Sequence, residues 1–174
     1  MRKQVAPFSF LSAAAFMFSL WMVAGCKTYS FTGASIPPGT ETVSVAFFEN
    51  RASIVQPSLS SVFTEKLKDR FVSQTSLRLT NSIGDLHFEG FISDYQSRPV
   101  AIQGNEQAAL NRLSITVSVR FSNKIDTKQD FESSFTRYVD YDSRKNLNSV
   151  EQELIAEICN QLTEDIFNRA VINW

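Results

Sequence analysis

The spacing of apolar and polar residues changes several times along this chain, and each change marks an element. Residues 42–48 set Val43, Val45 and Phe47 against Ser44 and Ala46, the period of two of a strand. Glu49–Gln56 breaks the alternation and reads as a loop. Pro57 suits a first helical position. Behind it Leu59, Val62, Phe63, Leu67 and Phe71 recur at helical spacing, with Glu65, Lys66, Lys68, Asp69 and Arg70 on the other faces. This predicts an amphipathic helix ending near Ser73, then a short strand at Ser76–Thr80 and a turn at Asn81–Asp85. Three longer strands are predicted next. Leu86–Tyr95 puts Leu86, Phe88 and Ile92 on one face. Leu113–Ser122 sets Leu113, Ile115, Val117, Val119 and Phe121 against Ser114, Thr116, Ser118, Arg120 and Ser122. Phe131–Tyr141 brings Phe131, Phe135 and Val139 together. A polar loop, Gln96–Arg112, joins the first two of these, and a charged turn, Asn123–Asp130, joins the last two. Ser149, with Gln152 three residues on, predicts a capping box. It opens a helix striped by Leu154, Ile155, Ile158, Leu162 and Ile166, with Phe167 beside them.

This order predicts an α+β fold, a two-layer sandwich. A mixed sheet of about four to five strands carries two helices on one face. The first strand–helix–strand unit is expected to cross over right-handedly. The second face of Leu113–Ser122 is nearly all hydroxyls, so one sheet face is expected to stay uncovered. Phe63, Leu67, Leu154 and Ile158 are expected between helices and sheet.

The first 25 residues do not fit this pattern. Arg2 and Lys3 precede an apolar run from Phe8 to Val23, which ends at Val23-Ala24-Gly25-Cys26. A basic start, an apolar middle and small residues before a break point have the order of a secretory signal peptide. The run is short for a transmembrane span, which needs roughly 20 residues. Val23–Cys26 also resembles a bacterial lipobox. By that resemblance residues 1–25 are cleaved and Cys26 becomes the lipid-bearing first residue. Residues 26–41, rich in Ser, Thr, Gly and Pro, then form a tether, and 42–174 the domain.

Composition narrows the function. Without Arg2 and Lys3 the chain keeps 15 basic against 18 acidic residues, which argues against general nucleic-acid binding. With Cys26 lipidated, Cys159 has no partner, and its apolar helical setting predicts a buried, inert thiol. His87 is the only histidine. It alternates with Leu86 and Phe88 and is expected exposed on the polar face of its strand. One histidine and one spare cysteine do not build a zinc site. Asp130, Asp140 and Asp142 lack the spacing of a calcium loop, and Gly84, Gly90 and Gly104 form no phosphate loop. Neither an enzyme nor a cofactor is expected. Trp174 is expected to pack at the domain edge.

Beyond these readings the chain resembles the lipopolysaccharide-assembly lipoprotein family, LptE. The resemblance rests on Cys26 followed by Tyr29-Ser30-Phe31-Thr32-Gly33, on Thr42–Asn50 and the helix Leu59–Phe71, and on Gly84-Asp85-Leu86 with Gly90-Phe91-Ile92. It continues through Asn111–Val117 and the last helix. It implies a non-enzymatic outer-membrane lipoprotein, anchored in the inner leaflet with its domain facing the periplasm or inside a barrel lumen. Such a protein plugs a large outer-membrane β-barrel, the LptD-like lipopolysaccharide translocon, helps it assemble and meets lipopolysaccharide. Lys27 behind Cys26, where an aspartate would signal inner-membrane retention, agrees with that location. The strand–helix opening also resembles periplasmic adaptor domains of the TolB N-terminal and curli-secretion types. A surface-displayed, glycan-binding lipoprotein is a third reading.

For a barrel partner, the long polar loop and the hydroxyl face are the expected contact surface. Arg98, Gln103 and Arg112 lie in the loop, and Thr116, Ser118 and Arg120 on the face. Short hydroxyl side chains let another surface approach closely, and arginines pair with carboxylates or phosphates.

Overall fold

The computed structural model describes residues 36–100 and 110–171. The lipobox with Cys26, as well as Gln103 and Trp174, lie outside them. Strand β1 is Thr42–Val45 and β2 is Glu49–Asn50. Helix α1, Leu59–Gln74, leads to β3, Arg78–Leu79. Then come β4, Leu86–Val100, β5, Leu110–Asn123, and β6, Phe131–Asp142, before helix α2, Leu147–Val171. The strands form one six-stranded sheet in the order β3-β1-β4-β5-β6, with β2 also beside β4. Pairings of β1 with β3 and β4, and of β2 with β4, are parallel; β4–β5 and β5–β6 are antiparallel. This is the expected mixed α+β sheet with two helices, one strand richer.

The extra strand arises because the first predicted strand breaks in two. Phe48, not Phe47, enters the core: Phe48 is fully buried and Phe47 is 60% exposed. The Phe48 amide leaves the sheet and donates to the Thr64 hydroxyl on α1 at 3.1 Å. Pairing with β4 resumes at Glu49, so part of the predicted loop Glu49–Gln56 is a strand.

The helices pack on one face. Phe63, Leu67, Leu154 and Ile158 are all buried, as is the stripe Ile155, Leu162, Ile166 and Phe167. A run of aromatic contacts crosses the layers, from Phe167 to Phe71, Phe88, Phe121 and Phe131, with centroids 4.7–5.2 Å apart. Offset and edge contacts at these distances add to the gain from burial. Arg70 ties α1 to α2 through Asn160 and Thr163. On β6, Arg137 grips both carboxylate oxygens of Asp165 on α2 through its Nε and one Nη.

Both helix starts differ from expectation. Pro57 precedes α1 rather than opening it. The Gln56 side chain accepts from the amides of Ser58 and Leu59 and takes the capping role. Ser149 lies inside α2, and its hydroxyl donates to the Asn146 carbonyl. Asn146 is the cap, accepting from the Asn148 amide at 3.0 Å.

β4 and β5 are also longer than expected. They stay paired through Val100 and Leu110, so much of the predicted loop Gln96–Arg112 is sheet. The pairing carries a register shift between Ile92 and Asp94. Before it Leu86, Phe88 and Ile92 face the core; after it Tyr95 does. One extra residue inverts the alternation, as a β-bulge does. A strict period of two therefore loses the strand at this point.

Candidate functional site

The face of the sheet turned away from the helices is the candidate site. Register assigns its rows. Arg98 stands opposite Arg112, and Arg112 opposite Asp140. Gln96, Ser114 and Tyr138 form the next row, then Asp94, Thr116 and Thr136. Phe91, Ser118 and Ser134 follow, and after them Glu89, Arg120 and Glu132. Across β5 the opposite residues Leu113, Ile115, Val117, Val119 and Phe121 are all at or below 1% exposure. The alternation thus divides β5 into a core side and an open side, as expected.

Arg98, Arg112, Thr116, Ser118 and Arg120 come together on this surface. The two arginines assigned to the loop sit instead on paired strands. Arg112 donates to both Asp140 oxygens, at 2.7 and 2.9 Å, and its guanidinium lies 3.6 Å from the centre of the Tyr138 ring. That pairing holds the Asp140 carboxyl below its ordinary range. Thr116 and Thr136 share a hydrogen bond of 2.9 Å. Arg120 lies between Glu132, at 3.0 Å, and Glu89, at 3.4 Å. At that end a groove of about 400 Å³ is walled by Phe47, Arg51, Phe91 and Arg120. Arg51 lies over the Phe91 ring and pairs with Glu49. Each of these ion pairs is internal to the face. The surface is polar and closely balanced in charge.

The sequence did not single out β6 as half of this face. Glu132, Ser134, Thr136, Tyr138 and Asp140 alternate with Phe131, Ser133, Phe135, Arg137 and Val139 across it. Arg137 faces the helices and blurs that signal.

His87 lies on the same side but is not exposed; its side chain is 19% accessible. Its Nδ1 is 2.8 Å from the Ser44 hydroxyl, which also accepts from the Gly84 amide. The contact fastens β1 to β4. Cys159 is wholly buried and its thiol is pushed up to about 12 by desolvation. No group of His, Cys, Asp and Glu suited to a metal ion occurs among the described residues. Asp130 accepts from the Asn123 amide, and Asp142 from Arg144. No helix among the described residues is long and apolar enough to cross a membrane.

A model of the family described as LptE, lipopolysaccharide-assembly, matches residues 40–170. No curated protein matches the chain. Solved structures of similar fold include a hypothetical protein from Chlamydia trachomatis, 10% identical with a TM-score of 0.50, over 77% of this chain and 99% of that one. A minor lipoprotein from Acinetobacter baumannii is 16% identical with a TM-score of 0.49, over 75% of this chain and 91% of that one. A protein from Xanthomonas campestris is 14% identical with a TM-score of 0.48, over 80% and 90%.

Proposed function

The chain belongs to the LptE lipopolysaccharide-assembly family, and on that premise we propose that it is a lipid-anchored outer-membrane plug. It occupies the lumen of an LptD-like barrel, helps that barrel assemble and supports lipopolysaccharide transport through it. The observation that carries the reading is the uncovered sheet face, with Thr116, Ser118, Ser134 and Thr136 in adjacent rows. Barrel lumens are polar and water-filled. A face of short hydroxyls on which Arg112 pairs with Asp140 and Arg120 with Glu132 and Glu89 can approach such a wall while burying little unmatched charge. The role is one of binding and assembly, not catalysis. Cys26 is the lipid attachment point in this reading.

Photo-crosslinking from positions 98, 103, 116 and 118 in cells tests the contact. Adducts with a large outer-membrane protein at several of these positions are expected. Adducts from Glu157 and Glu164 on α2 alone would turn the domain around and overturn the proposed face. Cys26→Ala is expected to abolish labelling by a radioactive fatty acid; retained label would place the anchor elsewhere.

A further inference from the structure

Where the chain enters the domain bears on how the domain meets a membrane. Residues 26–35 separate the lipobox cysteine from Ile36, a stretch that spans at most about 36 Å when fully extended. The chain then enters β1 at Thr42. Asp85 fixes that entry: its carboxylate accepts from the amides of Glu41 and Thr42 and from the Thr42 hydroxyl. Val43 pairs with Leu86, so the entry lies at the end of the sheet where β4 begins.

That end carries aliphatic side chains the fold leaves uncovered. Leu79, Ile83 and Ile125 are 43%, 66% and 48% exposed. Leu79 pairs with Val43 at the start of β1. The Ile83 carbonyl accepts from Lys124 Nζ, and the Lys124 amide donates to the Asp85 carbonyl. Ile125 therefore follows directly on the same corner. Its charged neighbours Lys124 and Lys128 are exposed. Four carboxylates share the corner: Glu41 pairs with Arg78, while Asp85, Asp126 and Asp130 each accept from backbone amides. The charges there roughly balance, and the aliphatic tips are what set the corner apart. Exposed aliphatic tips among balanced charges can settle into a lipid headgroup layer by burying their apolar area there.

We propose that the edge formed by Leu79, Ile83 and Ile125 docks on the bilayer that holds the anchor, before any barrel takes the domain up. The inference rests on lipidation at Cys26. A short tether raises the local concentration of this edge at the lipid surface, so weak apolar contacts suffice. β4 runs away from this end for 15 residues, about 50 Å of strand. Docked so, the domain presents its hydroxyl face and the β4–β5 hairpin to an incoming partner.

The test uses the full lipidated chain in phosphatidylethanolamine–phosphatidylglycerol vesicles. Single cysteines at 83 and 125, and at 55, 136 and 144 for comparison, carry an environment-sensitive fluorophore. Cys159 is buried, so the label goes to the introduced thiols. Spin-labelled lipids are expected to quench positions 83 and 125 several-fold more than the other three. Ile83→Glu combined with a label at 125 is expected to abolish that difference. Failure of the protein to float with the vesicles would overturn the anchor, and the docking with it. Flotation with equal quenching everywhere, or with the strongest quenching at 55 or 144, would overturn the docking alone.

Discussion

Arg98 and Arg112 face each other in register across β4 and β5, and Asp140 on β6 draws the second guanidinium away from the first. Like charges directly opposite on neighbouring strands destabilise the pair. Asp140 and the Tyr138 ring therefore allow two arginines to share one row. Asp140→Asn is expected to lower Tm by a few degrees, more at low salt than at high salt because exposed charges are screened. Arg98→Gln in the same chain is expected to restore most of the loss. A Tm for Asp140→Asn unchanged at low salt would show that the row carries no repulsion.

Three carboxylates with lowered folded values contribute to stability in a pH-dependent way. Asp85 is held below the usual range first by the Glu41 amide, then by the Thr42 hydroxyl and amide. Asp140 is held there by Arg112, and Asp142 by the Arg144 guanidinium and then its amide. Each has a folded value below its unfolded one. Their contribution is thus complete above about pH 4, the unfolded carboxylate range, and is lost as pH falls through the folded values. Urea midpoints are expected to be flat from neutral pH down to that point and to fall below it. Asp85→Asn is expected to lower the plateau and flatten the fall.

Gly90 is required by proximity. A Cβ there would sit 2.1 Å from the Ser118 carbonyl oxygen and 2.7 Å from the Phe48 ring. The first neighbour is backbone of the paired strand and cannot rotate away. Gly90→Ala is expected to cost about 1–3 kcal/mol, as overpacking does, measured by urea unfolding. A wild-type midpoint would mean that β4 and β5 separate at this point at no cost.

Long runs of one period were legible from sequence: the two helical stripes, the division of β5 into apolar and hydroxyl sides, and the buried setting of Cys159. What escaped were places where a single residue changes the period. Phe47 and Phe48 are adjacent and equally apolar, and the one that turns inward is set by tertiary contacts, the Thr64 hydroxyl on its amide and the Phe63 ring against it. The bulge near Ser93 inverts the alternation, so Arg98 and Arg112 were assigned to a loop although they sit on strands. Helix starts escaped for a similar reason. Gln56 caps with its own side chain where Pro57 gave the visible signal, and Asn146 caps where Ser149 and Gln152 gave it.

Cys159 has no solvent contact, and burial pushes its thiol up to about 12. Thiolate is the reactive form. In the lipidated chain, 5,5′-dithiobis(2-nitrobenzoate) at pH 8 is expected to leave Cys159 unmodified in the native state and to react with one thiol in urea. Rapid native reaction would mean that α2 opens locally. Cys159→Ser puts a hydroxyl in the same apolar site and is expected to destabilise more than Cys159→Ala.

The open face yields the sharpest separation between folding and binding. Ser118 is half-buried between Phe91 and Ser134, with its side chain on the side away from the helices. A large residue there meets no core atom, so Ser118→Trp is expected to leave Tm within a degree or so of wild type, as surface changes usually do. It would also hold off any wall seated against the hydroxyl rows by the height of an indole. Copurification of the outer-membrane partner in mild detergent is expected to fall sharply. Glu157→Trp, on the exposed side of α2, is expected to leave it unchanged. If both variants copurify the partner equally, the hydroxyl face is not the contact. If Ser118→Trp loses the partner only together with its Tm, the face is part of the fold's own packing and the assignment fails on that ground.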